Sequence, residues 1–356
     1  MQKTIAIARG DGVGYEIMES AMQVLETTAQ KFGHEFLFVN VDIGIDAFNT
    51  IGNPLPPSSL EIIRDTDALL LGPLDNAYWE KVTAHLRPQK TLPILVNHFD
   101  LFACVRPVIL YEPFLYSSNI NTNAIKSGLN MVVVQDALST RPVQMYGCRD
   151  GHKGQEAFDT SVFSVDLVEK LAKFAFELAA ARCKKVTCID KSDTLDSHRL
   201  WRSVIKAKAK EYKGVKLEML LADRALEKLI HSPSSFDVVL TPSILGDVFT
   251  AAASSLANAS NLMPISNLGA TRFGIYTVYG GVQTNIAGTD TVNPIGAILA
   301  ASMMLSASFN MHKEMFAIEA AIKAVFKMDA GTRDLPVRHH LSCSNFTNEI
   351  CNKILS

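Results

Sequence analysis

The chain has 356 residues, of which 48% are hydrophobic and 20% are charged, as in ordinary folded proteins and unlike disordered or fibrous ones. Its 34 Lys and Arg residues nearly balance its 36 Asp and Glu residues, so the formal net charge is −2 at pH 7. Nucleic-acid binding favours a basic surplus, and a membrane helix needs roughly 18 apolar residues in a row. The sequence has neither, so we expect no nucleic-acid partner and no membrane association.

The cysteines and the first residues indicate the compartment. Six cysteines are scattered along the chain without a CxxC pair, which predicts buried, reduced thiols. The first residues lack the long apolar core of a signal peptide. Both features predict a cytoplasmic protein.

Strand and helix signals alternate in the N-terminal part. Short apolar, partly β-branched runs typical of buried strands are separated by segments with a helical period. Predicted strands cover residues 4–8, 36–41 and 68–71, and predicted helices cover residues 16–29 and part of 54–63. This alternation predicts an α/β fold with a parallel sheet and helices on both faces.

The middle of the chain is less regular. Residues 139–159 contain proline, glycine and mixed charge without a helical period, which predicts an extended arm or a functional loop. Further strands are predicted at 104–109, 131–134, 185–189, 215–220 and 238–241. Further helices are predicted at 165–181, 198–211, 225–231, 247–262, 297–305, 318–325 and 346–354, with a glycine-bearing loop at 280–288.

Two segments contain residues suited to an anion or to proton transfer. The sequence GDGVG at Gly10–Gly14 follows a strand and precedes a helix, so its backbone could approach a ligand, although an ordinary turn explains it equally well. The sequence DKSDTL places Lys191 between Asp190 and Asp193. Lys191 is either a general base or one member of a solvated charge cluster.

Two further segments contain oxygen and amide groups. Asp223 and Asp247 lie near the ends of predicted elements, where carboxylates could hold Mg²⁺ or Mn²⁺; helix capping is the alternative for Asp247. Asn285 and Asn293 follow a glycine turn and could contact an adenine or a ribose, although turn chemistry alone explains them too.

The order of these motifs carries a resemblance. GDGVG, LRPQKTL…CVRP, DKSDTL…WR, SILGD and NIAG…VNP follow one another over nearly the whole chain. In this order they resemble the β-decarboxylating dehydrogenases, the family of 3-isopropylmalate and isocitrate dehydrogenases. The resemblance implies an α/β, isopropylmalate dehydrogenase-like fold with two domains, central sheets flanked by helices and an active cleft between the domains. Residues 1–101 with 259–356 would form the nucleotide-side domain, and residues 102–258 the dimerisation and substrate-side domain with its arm around 139–159.

The resemblance also implies an activity and its residues. Family members oxidise a 2-hydroxy acid with NAD or NADP and then decarboxylate it, aided by Mg²⁺ or Mn²⁺. Lys191 matches the general base, Asp247 matches a metal ligand, and Asp223 matches a metal ligand that the partner subunit supplies. Arg106 matches a substrate arginine and Asn293 a nucleotide-side asparagine, and Leu92 lies where isopropylmalate enzymes present an apolar wall to the substrate. Gly280, Gly281 and Asn285 occupy the positions of the family's cofactor loop. Arg141 and Tyr146 lie where they could replace a missing arginine and the catalytic tyrosine.

Several positions depart from the family pattern. Two expected arginines fall on Val96 and Gln135, the tyrosine on Met145 and the second metal aspartate on Ala251. Further departures are Gln89 for Glu, Cys104 for Asn, Thr277 for Glu, Gly280 for His and Asn285 for Asp. Each lost charge-assisted hydrogen bond removes about 1.5–3 kcal/mol of binding.

These departures predict a non-catalytic or regulatory protein with weakened or lost NAD or NADP binding and weak Mg²⁺ or Mn²⁺ binding. The alternative is an active NAD-dependent dehydrogenase with a changed 3-substituted malate as substrate. The expected partner is a second copy in a homodimer or an active paralogue in a heteromer. Any small ligand would be a 2-hydroxy dicarboxylic acid.

Overall fold

A large mixed sheet forms the centre of the protein. The computed structural model describes residues 1–74, 87, 90–117, 125, 128–137 and 146–356. Ten strands form one sheet in the order β2-β1-β3-β12-β11-β4-β5-β10-β8-β9. These strands are β1 Gln2–Ala8, β2 Glu35–Asn40, β3 Ala68–Leu71, β4 Leu101–Leu110, β5 Leu129–Asp136, β8 Lys185–Asp190, β9 Lys216–Leu221, β10 Val238–Thr241, β11 Pro264–Gly269 and β12 Gly274–Val278.

Two small strand pairs stand apart from this sheet. Strands β6 Tyr146–Gly151 and β7 Gly154–Asp159 form an antiparallel hairpin, and β13 Ala330–Gly331 pairs parallel with β14 His339–His340. The β6–β7 hairpin lies in the segment where the sequence predicts an arm or loop. The pattern did not reveal its strands, because its residues are largely exposed and do not alternate between apolar and polar.

Eleven α-helices are present in the described ranges. They are α1 Gly14–Phe32, α2 Ile45–Ile51, α3 Pro57–Arg64, α4 Thr91–His98, α5 Val165–Ala180, α6 Asp196–Ala209, α7 Ala222–His231, α8 Ser243–Leu256, α9 Ile295–Ala307, α10 His312–Lys327 and α11 Cys343–Leu355. Helix α1 illustrates their local logic: one apolar face is buried, and the helix ends at Gly33, whose φ of 70° suits glycine. No helix among the described residues is long and apolar enough to cross a membrane.

The predicted parallel sheet is correct only for the two outer parts. Strands β2, β1, β3 and β12 pair parallel, as do β5, β10, β8 and β9. The central strands β12, β11, β4 and β5 pair antiparallel, which corrects the prediction. No helical crossover separates β11 from β12, because a short turn joins these antiparallel neighbours.

Most predicted helices and strands are confirmed, with shifted ends. The helix predicted at 247–262 is α8, which begins earlier and ends at Leu256. Strands β11 and β12 and helices α2 and α4 were not predicted. The expectation of buried thiols is wrong for Cys148 and Cys183, which are exposed, and all six cysteines are free.

Apolar residues cover both faces of the sheet. Helices α5 and α6 cover one face of β4, β5, β8 and β10, and Val105 and Val134 point into that layer. Helix α8 covers the opposite face, where Val108 and Val133 lie. Helix α9 is buried on nearly all sides, which explains its uniformly apolar sequence. The division into two domains at residues 101 and 259 stays a prediction.

Candidate active site

Three polar side chains meet where β4, β5 and α8 come together. Arg106 donates from Nη1 to Oδ1 of Asp247 over 2.6 Å, and Gln135 donates from Nε2 to the same oxygen over 3.0 Å. Arg106 and Gln135 are nearly buried, whereas the Asp247 side chain is 58% exposed. A Cβ at Gly246 would collide with Oε1 of Gln135, so glycine lets α8 approach β5 this closely. The cluster therefore places a neutralised guanidinium and an accessible carboxylate at the end of β5.

Arg106 also connects this cluster to the loop that follows β12. The centre of its guanidinium lies 5.8 Å from the ring centroid of Tyr279, within the range of a cation–π contact. Cys104 lies two residues earlier on β4, and burial raises the pKa of its thiol, which stays protonated. Arg106 thus contacts Asp247 on α8 and the ring of Tyr279 after β12. Asp247 is the charged partner, and Tyr279 and Cys104 are uncharged.

Lys191 lies just after β8, in a second charged cluster. Its Nζ is 3.0 Å from Oδ2 of Asp193 and 3.9 Å from Oδ1 of Asp223. The hydrogen bond that Lys191 donates to Asp193 raises the pKa of Lys191, and the same bond lowers the pKa of Asp193. Lys191 is therefore protonated in this arrangement and needs a change of surroundings to act as a base.

Buried groups hold the backbone beside Lys191. The fully buried carboxylate of Asp190 accepts two bonds from Arg202, at 2.8 and 3.0 Å, and one from the backbone N–H of Ser192. The backbone N–H of Lys191 donates to Nδ1 of His198 over 2.9 Å. The loop that carries the lysine is therefore fixed at two successive residues.

The two predicted metal ligands have separate partners within one chain. Asp223 faces Lys191, and Asp247 faces Arg106 and Gln135. Among the described residues no three His, Cys, Asp or Glu side chains come together as a metal-binding group. Both carboxylates are more than half exposed and offer the hard oxygen atoms that Mg²⁺ and Mn²⁺ prefer. The donor chemistry fits such an ion if a second copy completes the set.

The glycine loop and the 280–288 loop form a single joined surface. The backbone N–H of Val13 donates to the carbonyl of Val282 over 2.9 Å, and a Cβ at Gly12 would collide with that carbonyl. The carboxylate of Glu16 accepts the backbone N–H groups of Gly288 and Asp290. The GDGVG segment therefore fixes the second loop in place, a structural role that the sequence left open beside ligand binding.

The predicted cofactor residues differ in how they are engaged. Asn293 donates to Asp334 over 3.0 Å and accepts the backbone N–H of Ile295, so both ends of its amide cap and brace α9. A Cβ atom placed on Gly280 or Gly281 would have no other atom within 4 Å, and Asn285 is exposed. The two glycines therefore border open space, while Asn293 already uses its hydrogen-bonding groups.

Other predicted positions lie elsewhere or outside the described part. Leu92 is half-buried on α4 and packs against the apolar cluster that contains Val96, which is only 3% exposed. Val96 therefore belongs to the core. Arg141, Met145 and Gln89 lie outside the described residues, as does the side chain of Tyr146 at the start of β6.

The sequence did not point to two further residues, one beside Lys191 and one beside the Arg106 cluster. His198 binds the backbone of Lys191, as above. Asn267 on β11 is directly opposite Cys104, which is opposite Gln135 on β5, so the three lie in one row on one face of the sheet. Asn267 is 3% exposed, and its side-chain nitrogen has no hydrogen-bond partner within the described part of the chain. The sequence of β11, with Ser266 and Asn267 side by side, does not alternate between apolar and polar residues, so no period in the sequence marked Asn267.

Comparisons with known proteins agree with this architecture. The family model described as isocitrate/isopropylmalate dehydrogenase matches residues 4–350. The 3-isopropylmalate dehydrogenase of Geobacillus kaustophilus is 36% identical over 332 residues, covering 93% of this chain and 89% of that protein. The 3-isopropylmalate dehydrogenase of Bacillus subtilis is 36% identical over 361 residues, covering 100% of this chain and 98% of that protein.

Solved structures share the fold. An isocitrate dehydrogenase from Methylococcus capsulatus superposes with a TM-score of 0.85 at 24% identity, covering 99% of this chain and 100% of that chain. A β-decarboxylating dehydrogenase from Thermococcus kodakarensis gives a TM-score of 0.80 at 24% identity, covering 99% and 96%. At this identity the likeness concerns the fold.

These findings confirm the resemblance and change the balance between the two functional expectations. Nothing in the comparisons shows a non-catalytic protein or a loss of cofactor binding, and the named relatives favour the active alternative. The match of one family model to almost the whole chain, together with relatives more than 30% identical over its full length, leads to one conclusion. The chain belongs to the isocitrate/isopropylmalate dehydrogenase family.

Proposed function

We propose that this chain is an active NAD-dependent dehydrogenase that oxidises and decarboxylates a 3-substituted malate other than isopropylmalate. The observation that carries the proposal is the pair formed by Arg106 and Asp247 at the end of β5, with Lys191 and Asp223 forming a second polar pair. A cation for a carboxylate, a base and two metal ligands are the groups that this reaction needs.

Each group has a task in the proposed reaction. Arg106 binds one substrate carboxylate once it has exchanged Asp247 for the substrate. Lys191 takes the proton of the 2-hydroxyl group as hydride leaves for the cofactor, which requires it to leave Asp193 and lose its own proton. Asp223 and Asp247 would hold Mg²⁺ or Mn²⁺, which supplies Lewis-acid polarisation of the hydroxyl oxygen.

The changed substrate follows from the two lost arginines. Val96 is buried in the apolar core, and Gln135 offers a neutral amide that Asp247 already occupies. The cluster of Arg106, Gln135 and Asp247 therefore contains one guanidinium, which is balanced by one carboxylate. A substrate that places fewer carboxylate groups against this cluster fits better than a substrate whose carboxylates need three arginines.

A homodimer completes the proposed site. Helices α7 and α8 expose three large apolar side chains, with Ile230 at 60%, Ile244 at 69% and Val248 at 54% exposure. Ile244 and Val248 are four residues apart and share one face of α8. Covering that face with a second copy would bring Asp223 of the partner subunit towards Asp247, which matches what the family resemblance implies.

The test is NADH formation with Mn²⁺ across a panel of 3-substituted malates, with isopropylmalate and isocitrate included. We expect turnover with at least one member of the panel and little with those two. Lys191→Ala should abolish it, while Lys206→Ala, an exposed lysine on α6, should not. Absence of turnover with every substrate and with NAD or NADP would restore the non-catalytic alternative.

A further inference from the structure

A buried histidine holds the backbone of the proposed base. Nδ1 of His198, on the first turn of α6, lies 2.9 Å from the backbone nitrogen of Lys191, which donates the hydrogen bond. His198 is 6% exposed, and its ring meets the ring of Phe163 edge to face at 5.8 Å. The imidazole is thus clamped between an aromatic ring and the loop after β8.

This hydrogen bond requires a neutral imidazole. A backbone N–H can be accepted at Nδ1 only while that nitrogen carries no proton, so the ring proton sits on Nε2. Burial lowers the pKa of His198, and the nearby Asp190 carboxylate opposes that effect. Arg202 on α6 binds Asp190 and offsets its charge, Lys191 adds a cation from the loop, and the third neighbour, Phe163, is uncharged. Near neutral pH the ring is neutral.

We propose that His198 is a positioning residue that fixes the Lys191 loop while it is neutral and releases that loop when it becomes protonated. The role assigned to Lys191 rests on the proposed function. The consequence for the reaction is a second acidic limb in kcat, at lower pH than the limb that Lys191 sets, and this second limb belongs to His198.

The reason is geometric. Residues 191–195 form a short turn between β8 and α6, closed by backbone bonds from Thr194 and Leu195 back to the carbonyl of Lys191. Protonation of His198 places an N–H against the N–H of Lys191, so the attraction becomes a repulsion at one end of this turn. A displacement of about 1 Å at a reacting group can cost on the order of 100-fold in rate.

Two substitutions separate positioning from packing. His198→Asn keeps an acceptor near the position of Nδ1 without a titrating group, and His198→Phe keeps an aromatic ring without an acceptor. We expect His198→Phe to lower kcat by roughly 10–100-fold with an unchanged KM for NAD. We expect His198→Asn to restore most of kcat and to lose the second acidic limb, while the limb set by Lys191 remains. His340→Asn, an exposed histidine, serves as the matched control.

The outcomes that overturn the proposal are specific. A full kcat in His198→Phe would show that the acceptor is unnecessary. A second acidic limb that persists in His198→Asn would assign that limb to another group. Thermal unfolding of each variant identifies a simple loss of folding, and in that case the His198→Asn profile decides alone.

A measurement without turnover keeps this inference separate from the proposed function. Nitrogen-15 NMR of the histidine rings in the full chain reports which ring nitrogen carries the proton. We expect an Nε2–H ring near neutral pH and a Lys191 amide resonance that shifts together with the titration of His198. A proton on Nδ1 near neutral pH overturns the inference. If the wild type has no activity at all, the proposed function fails while this result still stands.

Discussion

Arg106 and Asp247 are bound to each other although 141 residues separate them: Nη1 of Arg106 donates to Oδ1 of Asp247 over 2.6 Å. The family resemblance gives Arg106 to the substrate and Asp247 to the metal. In the structure each residue occupies the binding group of the other. In the proposed reaction, substrate at Arg106 and a metal ion at Asp247 would both replace this contact, so that binding of either one would release the residue that binds the other.

The first prediction is that Mg²⁺ or Mn²⁺ binds weakly alone and more tightly with a 2-hydroxy acid, because a substrate carboxylate on Arg106 releases Asp247. Thermodynamic reciprocity requires the metal to raise the affinity for the acid by the same factor. Isothermal titration calorimetry measures both. Asp247→Asn should abolish metal binding, whereas Asp196→Asn, whose side chain is 90% exposed, should not alter it. Sub-micromolar metal affinity without substrate would contradict the prediction.

The second prediction concerns the pH dependence of turnover through Lys191. The hydrogen bond that Lys191 donates to Asp193 raises the pKa of Lys191, and a base must be deprotonated to act. Asp193→Asn removes the negative charge, so the pKa of Lys191 should fall and the rising limb of kcat should move to lower pH. The pH–rate profiles of wild type and variant provide the measurement. An unmoved limb would mean that a group other than Lys191 sets it.

The third prediction concerns Val96. The resemblance suggests that Val96→Arg would restore a lost arginine, but the side chain is 3% exposed within an apolar cluster. A guanidinium there would be buried without a partner, so we expect the free energy of unfolding to fall by about 3 kcal/mol or more. Ile94→Arg on the same helix, at 46% exposure, should have little effect. Urea unfolding measures both, and equal stability of the two variants would refute the core position of Val96.

The fourth prediction tests the dimer. Ile244→Asp combined with Val248→Asp would place two charges on the exposed apolar face of α8, and a like surface from a second copy could no longer cover it. Sedimentation at micromolar concentration should give a dimer for the wild type and a monomer for the double variant. Phe316→Asp, at 62% exposure on α10, is the control and should remain dimeric. A monomeric wild type would remove this interface.

The sequence by itself determined the family and most local structure. Buried strands and amphipathic helices leave a period in the chain, and the order of the short motifs from Gly10 to Asn293 is a linear property that needs no coordinates. Lys191, Asp223 and Asp247 were selected in this way. The antiparallel centre of the sheet was not, because pairing depends on which distant strands meet and not on their individual patterns.

Only the tertiary structure decided what the selected residues do to one another. The alternation along β4 puts Arg106 on a face of the sheet, but the approach of α8 gives it Asp247 as a partner. His198 looks like an ordinary helix residue until the turn after β8 brings Lys191 against its ring. The polar row that contains Asn267 exists because β11 and β4 pair in one register. Such contacts join residues far apart or across a turn, and no local period records them.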